Sequence, residues 1–253
     1  MNTGLVLSGG GIRGVAHIGA IKALEEHGIF PNHISGTSAG AIVGALYAGG
    51  ITWQEILKFF KEIPIFHTNR FARRKPGLLD TEKFYDEFKK FFPNDDFKSL
   101  PKSLFITATD IIKGELVIFK EGQLIKPVLA SATFPGVFSP IDIDGNFYID
   151  GGVLNNFPVE PLITRCDTLI GSYVNALKPV QITDLKHSYN VLDRAYKIKS
   201  AAESLAKFSA CKFVISPNEL CEFATFDMRN IDSIFKIGYD STINVLNEVG
   251  YGK

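Results

Sequence analysis

The chain has 253 residues, 45% of them hydrophobic and 21% charged, and its 27 basic side chains are balanced by 27 acidic ones. That is enough chain for one large buried core, and the balance sets up no overall field for nucleic acid, so any electrostatic partner must be met locally. The three cysteines, Cys166, Cys211 and Cys221, lack C-x-x-C spacing and read as isolated thiols, which argues against a disulfide framework or a zinc site. No stretch reaches the roughly 18 apolar residues of a membrane span. The opening MNTGLVLSGGG has neither the basic start nor the long apolar run of a secretory signal. The expectation is a cytoplasmic protein, with signal-independent secretion left open.

In chain order, GLVLS reads as a buried strand that ends in glycines. It is followed by a helix carrying Val15, Ile18, Ile21, Lys22 and Leu24, stopped at Gly28. A short strand over residues 33–35 runs into GTSAG, and AGAIVGALYAGG follows as a small-residue helix. Strand, glycine turn and helix, taken twice, argue for parallel α/β layering. Thr52 caps a helix over WQEILKFFKEI, which Pro64 interrupts, and Thr81 caps TEKFYDEFKKFF. Strands are expected at SLFITATDI and ELVIFK, a helix near KPVLASATF, and a hairpin at IDIDGNFYIDGG. Further buried strands at DTLIGSYVN and KFVIS flank a long helix over about 187–208, and an amphipathic helix closes the chain. No linker divides the sequence, so residues 1–253 read as a single domain with an insertion at about 52–97.

Two motifs carry the chemistry. GGGIRG (residues 9–14) formally fits the dinucleotide fingerprint, but that reading needs an acid at the end of the second strand. HISGTS stands there instead, with no carboxylate between Glu26 and Glu55. The loop then reads either as a tight turn that serves helix packing alone or as a set of backbone amides, uncovered by side chains at a helix start, that suit an oxyanion formed in acyl transfer. GTSAG (residues 36–40) sets Ser38 between Gly36 and Gly40 in the G-x-S-x-G pattern of a nucleophile on a tight strand-to-helix turn.

Such a serine needs a base. His187 starts a polar helix and His17 sits among apolar residues, where a structural role suits it; neither lies in a loop of catalytic composition. Asp150 ends the aromatic strand FYID, and Gly151 and Gly152 after it let the chain turn. An Asp-Gly turn alone is common and is often only structural.

GGGIRG, GTSAG and DGG, in this order, resemble the patatin-like phospholipases, serine acyl hydrolases that use a Ser–Asp dyad and no catalytic histidine. RGVAHIGAIKALEE and ASATFPGVFSP extend the likeness over about residues 4–160, with DGG where many members carry DGA. The resemblance implies a three-layer α/β/α fold with a central, mostly parallel sheet. It implies Ser38 as nucleophile, Asp150 as base, and the amides of Gly9, Gly10 and Gly11 as oxyanion hole, with Arg13, Gly14, Gly36, Gly40, Gly151 and Gly152 in support. Arg13 either meets a substrate phosphate or packs against the loop, the second being favoured.

The substrate class implied is a lipid acyl ester, phospholipid or lysophospholipid. No cofactor is expected and, with no carboxylate-rich calcium loop in view, no metal. An acyltransferase or thioesterase on the same scaffold, and a non-catalytic lipid- or nucleotide-binding module, stand as alternatives. The basic run RFARRK, with Arg70, Arg73, Arg74 and Lys75, is read either as a solvated loop or as a peripheral contact with anionic headgroups. Oligomeric state is left open.

Overall fold

The computed structural model describes residues 2–62, 84–225 and 227–251. Chain order runs β1 (Thr3–Leu7), α1 (Val15–Glu26), β2 (His33–Gly36), α2 (Ala39–Ala48), α3 (Trp53–Glu62), α4 (Tyr85–Lys89), β3 (Ser103–Asp110) and β4 (Glu115–Phe119). It continues through α5 (Ile125–Ser131), β5 (Ile141–Ile143), β6 (Asn146–Asp150), α6 (Glu160–Ile163), β7 (Thr168–Ser172), α7 (Ser188–Leu205), β8 (Phe213–Ile215) and α8 (Ile231–Glu248). The strands form one sheet in the order β5-β6-β3-β2-β1-β7-β8, with β4 also paired to β3. From β3 through β8 the pairing is parallel, and β4, β5 and β6 add the antiparallel edge.

Side chains alternate across a strand, and both faces of this sheet are covered. Leu5 and Leu7 of β1, with Leu104 and Ile106 of β3, enter the larger core beneath α1, α2 and α8. Val6 and Phe105 face the opposite way, toward Phe157, Val159, Leu162 and Tyr173. This is the layered α/β/α arrangement with a mostly parallel centre. Helix α1 is buried on most sides because α8 lies over it, so Val15, Ile18, Ile21 and Leu24 are joined in the core by Ala16, His17 and Ala20.

One feature of register positions the site. Strand β2 pairs with the first half of β3 and stops at Gly36 opposite Ile106. Strand β4 pairs along the second half of β3 on the other side. Strand β6 therefore takes over the side that β2 vacates, and it sets Asp150 opposite Ala108. The end of β6 thus lies two β3 residues beyond the end of β2, where the 36–40 turn begins.

At α3, Thr52 Oγ1 accepts from the Glu55 N–H (3.3 Å) while the Glu55 carboxylate accepts from the Thr52 N–H (3.1 Å), a reciprocal cap. The helix expected over TEKFYDEFKKFF is helical over Tyr85–Lys89; its proposed cap Thr81, the interrupting Pro64, and Arg70, Arg73, Arg74 and Lys75 of the basic run lie outside the described residues. So does much of the insertion expected at 52–97. Among the described residues, no helix is long and apolar enough to cross a membrane.

Candidate active site

The turn after β2 forces Ser38 into a conformation that L-residues avoid, φ 55° and ψ −123°. Such backbone strain persists only where the surroundings over-determine it, and here they do. A methyl group on Gly36 would collide with the Gly40 carbonyl, and one on Gly40 with the Leu7 and Ser8 carbonyls, so neither position tolerates a side chain. The Ser38 N–H donates to Ser131 Oγ at 2.8 Å. Thr37 Oγ1 bonds to Thr107 Oγ1 (2.6 Å) and donates to the Asn155 carbonyl (2.9 Å), anchoring the residue before it.

Asp150 is buried and lines the same cavity as Ser38. Its N–H donates to the Thr133 carbonyl at 2.9 Å, and its Oδ1 accepts from the Gly152 N–H at 2.7 Å. Burial pushes its pKa up to about 6, against the pull of the Ser38 hydroxyl and the Gly152 amide. The ASATFPGVFSP block therefore holds both residues, Ser38 through Ser131 and Asp150 through Thr133.

The glycine loop is less uniform than its sequence. The Gly9 N–H donates to the Asn156 carbonyl at 3.2 Å. That amide is occupied, and the three-amide expectation narrows to Gly10 and Gly11. These two line a cavity of about 90 Å³ together with Ser38, Asp150, Phe134, Asn156, Asn175 and Tyr196. Among the described residues, neither of their amides meets another acceptor.

Their direction is set from behind. Asn175 Nδ2 donates to the Gly9 carbonyl, and Arg13 Nε donates to the Gly10 carbonyl at 3.2 Å. The C=O and N–H of one trans peptide unit point opposite ways, so fastening these carbonyls turns the Gly10 and Gly11 amides the other way. Arg13 also donates to Asn175 Oδ1 at 2.8 Å. Arg13 thus packs against the loop, and its burial lowers its pKa. Gly14 passes close under Ala39, and Gly151 close against the Thr107 carbonyl.

His17 is fully buried with both ring nitrogens engaged, Nε2 with the Ser8 carbonyl (2.9 Å) and Nδ1 with Ser172 Oγ (2.7 Å). A carbonyl only accepts, so Nε2 carries the proton and Nδ1 accepts from Ser172. Burial lowers the His17 pKa to about 4. His187 is exposed and precedes α7, its N–H donating to Asn190 Oδ1 at 3.1 Å. Neither histidine lines the cavity. Among the described residues, no three His, Cys, Asp or Glu side chains gather as a metal site would.

Asn156, Asn175, Ser131 and Tyr196 are the site residues that sequence reading passed over. Asn175 follows the carboxyl end of β7, at the same sheet edge as the ends of β1 and β2. That edge is where open α/β sheets place their ligands, the one signal that could have singled it out. Tyr196 comes from α7, whose Asp193, Lys197 and Ser200 also line the cavity. A second cleft of about 810 Å³ adjoins it, sharing Arg13, Phe134, Leu177 and Thr225.

These features correspond to a recorded family. The patatin-like phospholipase profile matches residues 5–163, and the chain belongs to that family. An uncharacterised NTE family protein of Mycobacterium tuberculosis is 35% identical over 165 residues, covering 62% of this chain and 44% of its own. Lysophospholipase NTE1 of Meyerozyma guilliermondii is 28% identical over 268 residues, covering 93% of this chain and 18% of its own. The chain thus spans less than half the length of these curated relatives. Among solved structures, VipD from Legionella pneumophila superposes with a TM-score of 0.58 at 17% identity, over 98% of this chain and 67% of its own, a likeness of fold.

Proposed function

We propose that this chain hydrolyses lipid acyl esters, of phospholipid or lysophospholipid, through an acyl-enzyme on Ser38. The observation that carries the reading is the strained Ser38 set beside a buried Asp150 whose pKa is raised to about 6. A carboxylate at its ordinary value is a weak base, and moving it toward neutrality makes it a better proton acceptor while it stays largely ionised at pH 7.

Ser38 Oγ attacks the ester carbonyl and its proton passes to Asp150. The carbonyl oxygen takes the negative charge and accepts from the Gly10 and Gly11 amides. Collapse expels the alcohol, which takes the proton from Asp150. Water then gives a proton to Asp150 and attacks the acyl carbon, and collapse releases the fatty acid as Ser38 Oγ takes that proton back from Asp150. A dyad of this kind has no tautomer to orient. The 90 Å³ cavity holds the reacting ester, and the 810 Å³ cleft beside it accommodates more of the lipid. The lysophospholipase relative supports a lipid substrate.

Hydrolysis of a short-chain ester and of a lysophospholipid tests the reading. Ser38→Ala and Asp150→Asn should each lower kcat by several orders of magnitude, and the double variant should resemble either single one, as for residues acting as a unit. His187→Ala should keep its activity; a loss there equal to that at Ser38 would point to a triad. Product that shifts from fatty acid to a new ester when an alcohol is added would favour acyl transfer.

A further inference from the structure

A surface helix ordinarily buries its large apolar residues and shows polar ones to water. Helix α7 does the reverse. Among its described side chains the buried ones are Ala201 and Ser204, while Leu192 is 69% exposed and Val191, Ile198 and Leu205 are about half exposed. Val191, Ala195, Ile198, Ala202 and Leu205 recur at i, i+4, i+7, i+11 and i+14, which puts them on one outward stripe. The loop before α7 adds Leu177, Val180 and Ile182, the last 81% exposed. Seven of the fifteen exposed large hydrophobics among the described residues thus fall within residues 177–205, too dense a cluster for scattered surface residues.

The other face of the same helix roofs the cavity over Ser38 through Asp193, Tyr196 and Lys197. Charge is also uneven here. Residues 177–205 carry five basic side chains against three acidic ones, in a chain whose totals balance. Lys197 pairs with Asp193 (2.6 Å) and Lys199 with Glu203 (3.2 Å), but among the described residues Lys186 and Arg194 have no acidic partner.

We infer that α7 and the 177–182 loop form a docking surface for an anionic lipid layer, which brings the mouth of the Ser38 site against its substrate. Exposed aliphatic residues flanked by unpaired cations are the composition of a helix that lies in a headgroup interface. The 810 Å³ cleft opens under this same segment, lined by Val180, Leu185 and Arg194. Whatever covers the stripe must leave that cleft open to an ester, and a lipid surface is both the cover and the source of substrate. The inference rests on the lipid-hydrolase reading for its choice of occupant.

The test is flotation of the full chain with phosphatidylcholine vesicles, with and without phosphatidylglycerol, at low and high salt. The chain should bind the anionic vesicles best, and less as salt rises. The triple variant Val191→Gln, Leu192→Gln, Ile198→Gln should bind about tenfold or more weakly, and Ile182→Gln should weaken binding on its own. Both variants should hydrolyse a soluble short-chain ester as the unaltered chain does, which establishes that they fold. Vesicle binding that is unchanged in both variants, or absent from the unaltered chain, overturns the inference. So does a dimer that the triple variant converts to monomer without altered vesicle binding, since the stripe would then join two copies. If the short ester is not hydrolysed while vesicle binding follows the expected pattern, the hydrolase reading falls and the docking surface stands.

Discussion

The side chain of Asn175 holds the carbonyl of Gly9, donating to it through Nδ2 while its Oδ1 accepts from Arg13 at 2.8 Å. Partner chemistry fixes this amide orientation, because a carbonyl only accepts and a guanidinium only donates. Asn175→Ala frees the peptide that carries the Gly10 N–H. The expected result is a fall in kcat of about tenfold to a hundredfold with little change in KM, since the oxyanion forms only in the transition state. Steady-state kinetics on a soluble ester measure it. A lowered melting temperature with kcat intact would make the clamp merely structural.

Asp150 should set the acid limb of the rate. It accepts a proton only when ionised, so kcat/KM should rise with pH through about 6 and flatten above it. A pH–rate profile of the unaltered chain checks this.

The same raised pKa carries a stability penalty. The folded-state value lies above the ordinary 3.8, so ionisation in place is disfavoured, and stability present at low pH is lost as pH rises toward and through 6. A rise from 3.8 to about 6 corresponds to roughly 3 kcal/mol. Asp150→Asn should therefore unfold at higher denaturant than the unaltered chain at pH 8, with the advantage gone near pH 4. His17 works in the opposite sense. Its folded-state pKa is lowered from 6.5 to about 4, so its contribution is full above 6.5 and is lost as pH falls toward 4. Without Asp150 to offset it, the acid loss should be steeper in Asp150→Asn. Denaturant midpoints of both proteins across pH 4–8 check the pair.

Ser131→Ala removes the acceptor for the Ser38 N–H inside a buried turn. An orphaned buried donor costs about 1–3 kcal/mol. The denaturation midpoint should fall accordingly, with ester hydrolysis reduced because the turn that presents Ser38 loosens.

The fold was legible in sequence where local pattern and tertiary position agree. Short, buried apolar runs at GLVLS and SLFITATDI marked β1 and β3, and GTSAG and DGG marked turns in which Gly36, Gly40 and Gly151 meet backbone directly. What was not legible depends on register and on long-range partners. The amides of Gly9, Gly10 and Gly11 look alike in GGGIRG, and only the Asn156 carbonyl, far along the chain, takes Gly9 out of the set. Asn175 is one unremarkable residue of SYVNA until the parallel pairing of β1 with β7 brings it beside the loop. Helix α7 was legible as a helix near its observed bounds, Ser188–Leu205, but not as the roof of the site: it read as a polar helix, and only the tertiary arrangement sets Asp193, Tyr196 and Lys197 over the cavity.

The central claim is that Ser38 is a nucleophile activated by Asp150. Its most direct test is mass spectrometry of the intact and digested chain after reaction with a fluorophosphonate. The account predicts a single adduct on the peptide containing Ser38, absent from Ser38→Ala and strongly slowed in Asp150→Asn. Labelling that fails on the folded chain, or that falls on another residue and persists in Ser38→Ala, would contradict it.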